Sequence, residues 1–390
     1  MIQAGTGYSN NINPADAGAE AVKQALAKTN GKADLVIVFS TVDYDQNLIL
    51  KGAKQEAPGA ILAGCSTMRG ILGGQGIEKG VISMALLSDE IKFQLSVSQG
   101  AKEDPVACGK KLGELINKPD LSALMIFMES VGVNGSAVVR GIQQTTRPNL
   151  PIIGGMASDA STFTASYQYA ENEALTNSVV GVGMFGSFSM GIGVQHGWES
   201  VGLPVKVTKS EGAIIKEIEH KPAIKFFEDY FGPEEAKQLY QPLSKICYVY
   251  PLGMSVEKSD ELLIRNAFVA NENGEIICAG EVPQGSEIRL MLGDAEKAIS
   301  AAKQAAQKAT QQLKDKKPKA VIVFNCAARY MLLGNRVDEE IKAIENFFGK
   351  DVPLIGFYTY GEQAPLAGFL GESCRSEFHN ETMALMVLGE

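Results

Sequence analysis

Two stretches of the chain decide the fold, DLVIVFS at residues 34–40 and PKAVIVFN at residues 318–325. Each follows a helical segment and continues through another helix to a second apolar run, AILAGCST at residues 60–67 and PLIGFYT at residues 353–359. Short apolar runs rich in valine and isoleucine are typical of buried strands. The two segments therefore look like copies of one strand-helix-strand unit.

A middle segment repeats the same order. LMIF at residues 124–127 precedes a helical pattern over about residues 135–144, and PIIGG follows at residues 151–155. Each copy is followed by a further apolar strand, at residues 81–87, 179–185 and 382–388. A right-handed crossover makes the two strands of each unit parallel, so their carboxyl ends share one sheet edge. Because ligands of open α/β sheets bind at that edge, the glycine turns of the repeats are expected to converge on a ligand site.

The composition fits a globular protein of this kind. The chain has 390 residues, of which 45% are hydrophobic and 21% charged, a balance that excludes disorder and coiled coil as the main class. The length favours two domains or a duplicated unit. The predicted class is α/β, with mixed sheets, flanking helices and repeated strand-helix-strand units in two intertwined halves, divided as residues 1–208 and 209–390.

Net charge and cysteine content indicate which partners and which cell compartment the protein is expected to have. The net charge of −9 argues against nucleic acid as a partner. The six cysteines are scattered without short spacings, which favours reduced thiols in a cytoplasmic protein. No secretory signal is recognisable at the amino terminus. Glycines and serines interrupt the weakly charged stretch of residues 174–198, so it is expected to form two buried strands joined near Gly186 and not a membrane span.

Local patterns add four further expectations. Residues 206–212 are a plausible boundary between the halves, since strands precede it and a helix begins near Pro222. Asn273-Gly274 between apolar runs predicts a hairpin. Asp294 is a suitable N-cap for an alanine-rich helix reaching about Lys317. The GGQG stretch at residues 73–76 lacks the lysine and hydroxyl residue of a phosphate-binding loop, so a hairpin turn is predicted there.

Four stretches resemble the FIST domain pair, a family of sensory modules. They are GGMASD at residues 154–159, the passage from Gly197-Trp198 to KPA at residues 221–223, FNCAAR at residues 324–329 with Leu333-Gly334, and GFYTYGE at residues 356–362 with FHNET at residues 378–382. The resemblance covers nearly the whole chain. One departure is MRG at residues 68–70, where the family often places Gly-Glu, so no acidic role is carried over to that turn.

The resemblance implies a non-enzymatic sensor of a small molecule. The signal would pass to a separate partner, such as a histidine kinase or a cyclic-dinucleotide enzyme, because no such segment fits within these residues. Some stand-alone members bind haem and sense nitric oxide. On this resemblance His196, beside Gly197-Trp198, is the candidate axial ligand, since neutral imidazole binds haem iron. The alternative for His196 is a structural, hydrogen-bonded histidine.

The other two histidines fit haem ligation less well. His379 lies in the FHNET stretch which, with GFYTYGE at residues 356–362, forms the terminal signature of the resemblance, and there a structural or general ligand-site role is favoured over iron. His220 stands between Glu219 and Lys221 in what reads as an exposed turn. Neither position has the apolar, glycine-rich strand that precedes His196.

Several residues at the expected sheet edge are candidates for ligand contact. A guanidinium near Cys326 would lower its thiol pKa, although a buried, inert cysteine is the alternative. Arginine pairs with carboxylates in two-point contacts, so Arg329 is a candidate partner for a carboxylate or propionate. Glu362 could receive an amine or hold an arginine, and the second is favoured. The remaining candidates are Gly155, Asp159, Tyr358 and Tyr360, with Arg336 and Arg375 as further arginines.

Three functional hypotheses follow for the chain. The first is haem-based nitric oxide sensing through His196. The second is a sensor of an amino acid or similar metabolite, whose charged groups Arg329 and Glu362 would address. The third is an enzyme with Cys326 as nucleophile and His379 as base. No zinc-site or serine-hydrolase motif is present.

Overall fold

The computed structural model describes residues 1–257, 259–371 and 374–390. The helices among them are α1 (Pro14–Leu26), α2 (Gln46–Glu56), α3 (Pro105–Ile116), α4 (Gly135–Gln143), α5 (Ile224–Phe231), α6 (Pro233–Ala236), α7 (Lys245–Val249), α8 (Ala295–Gln312), α9 (Ala327–Leu333) and α10 (Val337–Phe348). The strands of the amino-terminal half are β1 (Ile2–Ser9), β2 (Leu35–Thr41), β3 (Ile61–Thr67), β4 (Gly70–Leu72), β5 (Gln75–Ile77), β6 (Val81–Ser88), β7 (Lys92–Gln99), β8 (Leu121–Met128), β9 (Ile152–Met156), β10 (Gln168–Ala170), β11 (Glu173–Leu175), β12 (Ser178–Phe185), β13 (Ser189–Gln195) and β14 (Glu199–Ser200).

The strands of the carboxyl-terminal half complete four sheets. They are β15 (Val205–Glu211), β16 (Ile214–Ile218), β17 (Lys221–Pro222), β18 (Leu252–Ser255), β19 (Leu262–Arg265), β20 (Ala267–Ala270), β21 (Ile276–Cys278), β22 (Glu287–Leu292), β23 (Pro318–Cys326), β24 (Leu354–Thr359), β25 (Glu362–Pro365), β26 (Ser376–His379) and β27 (Met383–Gly389). The mixture of sheets with flanking helices confirms the predicted α/β class.

The three predicted repeats each form the centre of a sheet. β2 and β3 are parallel and are joined through α2, β8 and β9 through α4, and β23 and β24 through α9 and α10. The apolar strand that follows each unit, β6, β12 or β27, runs antiparallel to the first strand of its unit. The predicted strand-helix-strand repeat is therefore confirmed in all three copies.

The two halves exchange hairpins. The middle sheet, in the order β26-β25-β9-β8-β12-β7, takes β25 and β26 from the carboxyl-terminal half. The third sheet, β13-β27-β23-β24-β4-β5, takes β4, β5 and β13 from the amino-terminal half. The remaining repeat sheet, β1-β6-β2-β3-β10-β11, contains only amino-terminal strands. The exchange confirms that the halves are intertwined.

The fourth sheet is an addition to the carboxyl-terminal half. Its path is β19-β18-β22-β15-β16-β21-β20, with β14 and β17 attached at the side. The predicted division after residue 208 falls inside β15, which pairs with β16 and β22. Residues 206–211 of the expected boundary stretch therefore lie in a paired strand, whose polar residues are exposed or half-buried.

Phenylalanines of the three repeats meet in one core between the sheets. The ring centroids of Phe39 and Phe127 are 5.8 Å apart, and Phe357 lies 4.6 Å from Phe39 and 5.7 Å from Phe324. All four side chains are fully buried. Aromatic pairs at such distances add about 0.5–1.5 kcal/mol each beyond the area they bury. This contact fixes the strand ends of the three repeats relative to one another.

Helix α8 packs directly on the backbone of β13. Its alanines face the sheet, and a Cβ built on Gly193 would lie 1.8 Å from the carbonyl oxygen of Ala305. Only glycine permits this approach. The carboxylate of Asp294 accepts a hydrogen bond from the amide of Lys297 at 3.0 Å, which confirms the predicted N-cap. The helix ends at Gln312, before the expected end near Lys317.

The smaller local predictions hold with one qualification. β20 and β21 form the hairpin predicted around Asn273-Gly274, and β4 and β5 form the one predicted at GGQG. Residues 174–198 contain the two expected buried strands, β12 and β13. They belong to different sheets, because the chain crosses from the middle sheet to the third at Gly186, where φ is +107°.

Candidate functional site

The carboxyl ends of β3, β9 and β24, here called the repeat corners, contact one another directly. Ser66 Oγ donates to the carbonyl oxygen of Ser158 at 3.0 Å, and the amide of Ser158 donates to the carbonyl oxygen of Ser66 at 3.1 Å. Thr67 Oγ1 and Ser158 Oγ both donate to the carbonyl oxygen of Tyr358. The predicted convergence of the corners is confirmed, although they meet in a hydrogen-bonded cluster and the cavity lies beside it.

A cavity of about 420 Å³ lies between the repeat corners and the fourth sheet. The loop after β8 forms one wall, α9 another, and the β20–β21 hairpin a third. The residues that line it are Met68, Ser130, Val131, Gly132, Val133, Asn134, Gly135, Met156, Ser161, Phe163, Ala213, Leu243, Cys247, Tyr248, Asn266, Phe268, Cys278, Ala279, Gly280, Cys326, Ala327, Ala328, Met331, Tyr360, Phe378, Asn380 and Glu381. A concave, mostly apolar pocket with few polar groups is typical of small-ligand sites.

Aromatic side chains form the apolar side of the cavity. Phe163 stacks on Tyr360 with centroids 4.5 Å apart, and it meets Phe268 edge-on at 5.4 Å. Phe378 lines the cavity from the terminal signature. Phe163 comes from the middle repeat and Phe268 from the fourth sheet, so this cluster joins separate parts of the chain across the cavity.

Asp159 holds the loop that presents Phe163. Its carboxylate accepts hydrogen bonds from the amides of Thr162, Phe163 and Thr164, from Thr162 Oγ1 at 2.7 Å and from the Tyr360 hydroxyl at 2.7 Å. Burial alone would raise the pKa of Asp159, but these donors lower it to about 2. Asp159 therefore orders the aromatic wall without lining the cavity itself.

A buried amide and a buried carboxyl form the polar side of the cavity. Asn266 Nδ2 donates to Glu381 Oε1 at 2.6 Å and to the carbonyl oxygen of Cys247 at 3.0 Å. Asn266 Oδ1 and Glu381 Oε2 have no hydrogen-bond partner among the described residues, although the two residues are 7% and 0% exposed. Burial raises the pKa of the Glu381 carboxyl well above its usual value. Buried acceptors without a donor are rare in proteins and call for an explanation.

The backbone of Glu381 is also unusual. Its φ is +59°, a left-handed conformation that few residues other than glycine adopt. Such strain costs of order 1 kcal/mol and persists where the surroundings enforce it, often at functional sites. The Glu381 amide donates to Cys326 Sγ at 3.2 Å, and the Glu381 carbonyl oxygen accepts from Arg329. These contacts fix the carboxyl at the cavity surface.

Cys326 and Glu362 lie next to this carboxyl. Cys326 lines the cavity, and burial, with the neighbouring carboxyls of Glu362 and Glu381 as smaller causes, raises its thiol pKa well above the usual range. Glu362 Oε2 accepts from Thr382 Oγ1 at 2.6 Å and from the Thr382 amide at 3.1 Å, while Oε1 has no partner in the part of the chain that the structure describes. Burial raises the Glu362 pKa to about 8. Cys326 is therefore a buried, protonated thiol and not the expected activated thiolate. Glu362 is a buried, protonated carboxyl that contacts Thr382 instead of the expected arginine.

Arg329 is engaged entirely within the protein. Nε and Nη2 donate to Glu340 Oε1 at 2.9 and 2.6 Å, and Nη2 also donates to the carbonyl oxygen of Ala298. Nη1 donates to the carbonyl oxygens of His196 and Glu381. These contacts use all five N–H groups of a side chain that is 0% exposed. The predicted carboxylate-binding role is therefore corrected, because Arg329 has no donor left for a ligand.

Three of the other predicted residues lie near the site but outside the cavity lining. Tyr358 is fully buried, with its ring edge-on to Tyr330. Gly155 lies in β9, opposite Glu362 of β25. A ring nitrogen of His379, Nε2, lies 3.0 Å from the carbonyl oxygen of Ala364, and burial lowers the His379 pKa to about 4. Tyr358, Gly155 and His379 do not line the cavity, whereas the predicted residues Cys326 and Tyr360 do.

His196 lies outside the cavity. Its Nδ1 accepts a hydrogen bond from the amide of Trp198 at 3.0 Å, the contact expected of a structural histidine. Burial, together with the charge of Arg329, lowers its pKa to about 4. None of the three histidines is among the residues that line the cavity. The residues around the cavity therefore do not fit a histidine-ligated haem.

The two other candidate arginines, Arg336 and Arg375, form ion pairs with glutamates of the same chain. Arg336 pairs with Glu296 and Glu339, and Arg375 with Glu377. Within the described ranges, no group of three His, Cys, Asp or Glu residues is arranged to hold a metal ion. No described helix is both long and apolar enough to cross a membrane.

The polar side of the cavity was missed by sequence reasoning. Asn266 lies between two strands of the fourth sheet, in a stretch interpreted only as an alternating strand pattern. Glu381 was part of the terminal signature but received no role. Their separation of 115 residues concealed the contact, yet a polar pair such as Arg265-Asn266 within an apolar strand pattern was a usable signal.

Comparison with known proteins identifies the domains. The FIST N domain matches residues 34–221 and the FIST C domain residues 223–365. An uncharacterised protein of Mycobacterium tuberculosis is 27% identical over 228 residues, 57% of this chain, and the match spans 58% of that relative's length. An uncharacterised protein of Methanocaldococcus jannaschii is 24% identical over 384 residues, which cover 90% of this chain and 73% of that protein.

A solved cyanuric acid hydrolase aligns over 100% of both chains at 9% identity, with a TM-score of 0.35 that supports no inference about function. The two domain matches together cover most of the sequence. The chain therefore belongs to the FIST family, whose domains are sensory domains of signal transduction that bind small ligands.

Proposed function

We propose that this chain is a non-enzymatic sensor that binds a small molecule in the cavity between the repeat corners and the fourth sheet. The observation that carries the proposal is the pair of unpartnered buried oxygens, Asn266 Oδ1 and Glu381 Oε2, at the wall of an apolar cavity. Leaving a buried acceptor unpaired costs about 1–3 kcal/mol, and a ligand that supplies the missing donors recovers that free energy.

Ligand binding at this position can be communicated through the fold. The cavity wall combines the middle repeat, α9 of the third repeat and the β20–β21 hairpin of the fourth sheet. A ligand that contacts all three favours the arrangement in which they are closest, and so shifts a conformational equilibrium. The partner that receives the signal is proposed to be a separate protein, such as a histidine kinase or a cyclic-dinucleotide enzyme in the cytoplasm.

The binding proposal is tested with a variant in which the cavity is filled. Ala328 lines the cavity on α9, and Ala328→Trp places a bulky side chain in the ligand's space. A fragment library is screened by thermal shift against wild type and variant, because a ligand specific to the folded state raises the melting temperature. Compounds that stabilise wild type and not the variant support the proposal. Equal responses of the two proteins, or no response from either, reject it.

Haem-based nitric oxide sensing through His196 is the alternative within the same class. It requires the histidine to leave its contact with Trp198 and a site for the macrocycle outside the described cavity. An absorption spectrum of protein expressed with a haem supply tests whether haem binds through His196. A Soret band that is lost in His196→Ala would establish this alternative, and absence of the band after reconstitution would exclude it.

The enzymatic alternative uses Cys326 as nucleophile. The raised thiol pKa opposes it, since the thiolate is the reactive form. The ring nitrogen Nε2 of His379 lies against the carbonyl oxygen of Ala364. Rapid alkylation of Cys326 at neutral pH, with a rate that falls in His379→Ala, would favour the enzyme. Slow alkylation that His379→Ala leaves unchanged would support the binding proposal.

A further inference from the structure

The chemistry of the cavity wall restricts the ligand more narrowly than the family does. Among the described residues that line the cavity, none is lysine, arginine or histidine. Among the described residues of the lining, Glu381 is the only carboxylic acid. The free oxygen of Asn266 is an acceptor, and that of Glu381 becomes one when the carboxyl loses its proton. Ser130 Oγ, which also has no partner within residues 1–257, 259–371 and 374–390, can donate or accept. The unpartnered groups thus offer acceptors and one carboxyl that becomes negatively charged when it loses its proton to solvent.

We infer that the ligand is a primary amine with an apolar body and without a carboxylate, its nitrogen bound between Glu381 Oε2 and Asn266 Oδ1. An ammonium group carries three donors and no acceptor, which matches the two orphaned oxygens and the hydroxyl of Ser130. The body would pack on the aromatic wall of Phe163, Phe268 and Phe378. This inference rests on the proposed function and specifies its ligand class.

A carboxylate on the ligand would be disfavoured by the same wall. A buried anion needs a cationic partner, and the arginine expected to supply it, Arg329, is saturated by Glu340 and by carbonyl groups. An amino acid would therefore place its carboxylate among apolar and acceptor groups. The cavity lining therefore favours amines over amino acids, contrary to the expectation from sequence.

Binding of an ammonium ion changes the protonation of the site. Glu381 interacts electrostatically with Glu362, Arg329, Cys326 and Cys247, and its burial raises the pKa of the carboxyl well above its usual value in the empty protein, which favours the protonated form. When an ammonium ion binds, the carboxyl proton leaves to solvent and an ion pair remains. Binding therefore releases a proton from each molecule whose Glu381 carboxyl was protonated before the amine bound.

The test uses matched probes on the wild-type protein. 2-Phenylethylamine, 2-phenylethanol and phenylalanine share one aromatic body and differ in the charged groups. Charge-assisted hydrogen bonds correspond to about 10–100-fold in affinity, so the amine is expected to bind at least about tenfold more tightly than either of the others. Calorimetry in phosphate and in Tris at one pH is expected to show net proton release on binding of the amine and none on binding of 2-phenylethanol.

Two variants test whether Glu381 is responsible for the amine preference and for the proton release. Glu381→Gln preserves the shape of the side chain and removes its charge, so it is expected to abolish both the amine preference and the proton release. Glu377→Gln, on the neighbouring strand β26 and outside the cavity lining, is the matched control and is expected to bind like wild type. The probe ranking on wild type stands even if Glu381→Gln fails to fold.

The possible failures are distinguishable. Phenylalanine or phenylethanol binding as tightly as the amine would overturn the inferred ligand class while leaving the cavity as the sensory site. Amines could also fail to bind while neutral or anionic fragments bind wild type and not Ala328→Trp. That result too would overturn the inferred ligand class and leave the cavity as the sensory site. If no compound distinguishes wild type from Ala328→Trp, the inference and the proposed function fall together.

Discussion

Replacing Arg329 with methionine tests whether this side chain is structural. The substitution leaves the carboxylate of Glu340 buried without its charged partner, and it leaves the carbonyl oxygens of His196, Glu381 and Ala298 without their donor. Both members of the ion pair are 0% exposed. Removing one partner of a buried pair costs about 3–5 kcal/mol.

The expected change in melting temperature follows from the size of the chain. At about 2.1 cal/mol/K per residue, unfolding 390 residues as one unit has an entropy of about 0.8 kcal/mol/K. A loss of 3–5 kcal/mol then corresponds to a decrease of about 4–6 °C. Differential scanning calorimetry measures the shift, and the calorimetric enthalpy reports whether the chain unfolds as one unit.

Arg336→Met serves as the matched control. Arg336 is partly exposed and pairs with Glu339 and Glu296 at the surface, where ion pairs contribute about 0–1 kcal/mol. Its variant is expected to melt within about 1 °C of wild type. If Arg329→Met melts as close to wild type as the control does, Arg329 is not a structural residue and its assignment to a ligand must be reconsidered.

Three further variants test the site and the fold. Burial raises the pKa of Glu362 from 4.5 to about 8, so wild type loses stability as the pH rises through this interval; Glu362→Gln is therefore expected to melt higher than wild type by a margin that grows from pH 5 to pH 8. Gly193→Ala is expected to lose at least about 2 kcal/mol of stability in thermal melts, whereas Gly59→Ala, whose added carbon meets open space, should stay within about 0.5 kcal/mol. Asp159→Ala is expected to cost about 2–3 kcal/mol and to weaken 2-phenylethylamine binding in calorimetry, because Tyr360 and the aromatic wall lose their anchor; unchanged affinity would contradict that role.

The repeats could be predicted from sequence because their signals are local. Apolar runs such as residues 34–40 and 318–325 specify buried strands, and the handedness of crossovers makes the paired strands parallel without further information. Turn and cap chemistry gave the hairpin at Asn273-Gly274 and the N-cap at Asp294 for the same reason.

The site was predicted less well because its contacts are distant in sequence. Arg329 and Cys326 were correctly placed near the end of a central strand, but sequence could not show that Glu340 and three carbonyl groups saturate the guanidinium. The cavity itself depends on how the fourth sheet packs against α9, and no local pattern determines that packing. The protonation of Glu362 likewise follows from burial that only the assembled fold produces.

The exchange of hairpins between the halves has a consequence for dividing the chain. A cut in the turn after Glu211 would give a piece that lacks the β25 partner of β9 and another that lacks the β4 partner of β24. Neither piece could complete its own sheet, but each would carry the segment the other needs. Coexpressed as split fragments, the two are expected to reassemble, and the protein would then report the proximity of whatever is fused to them.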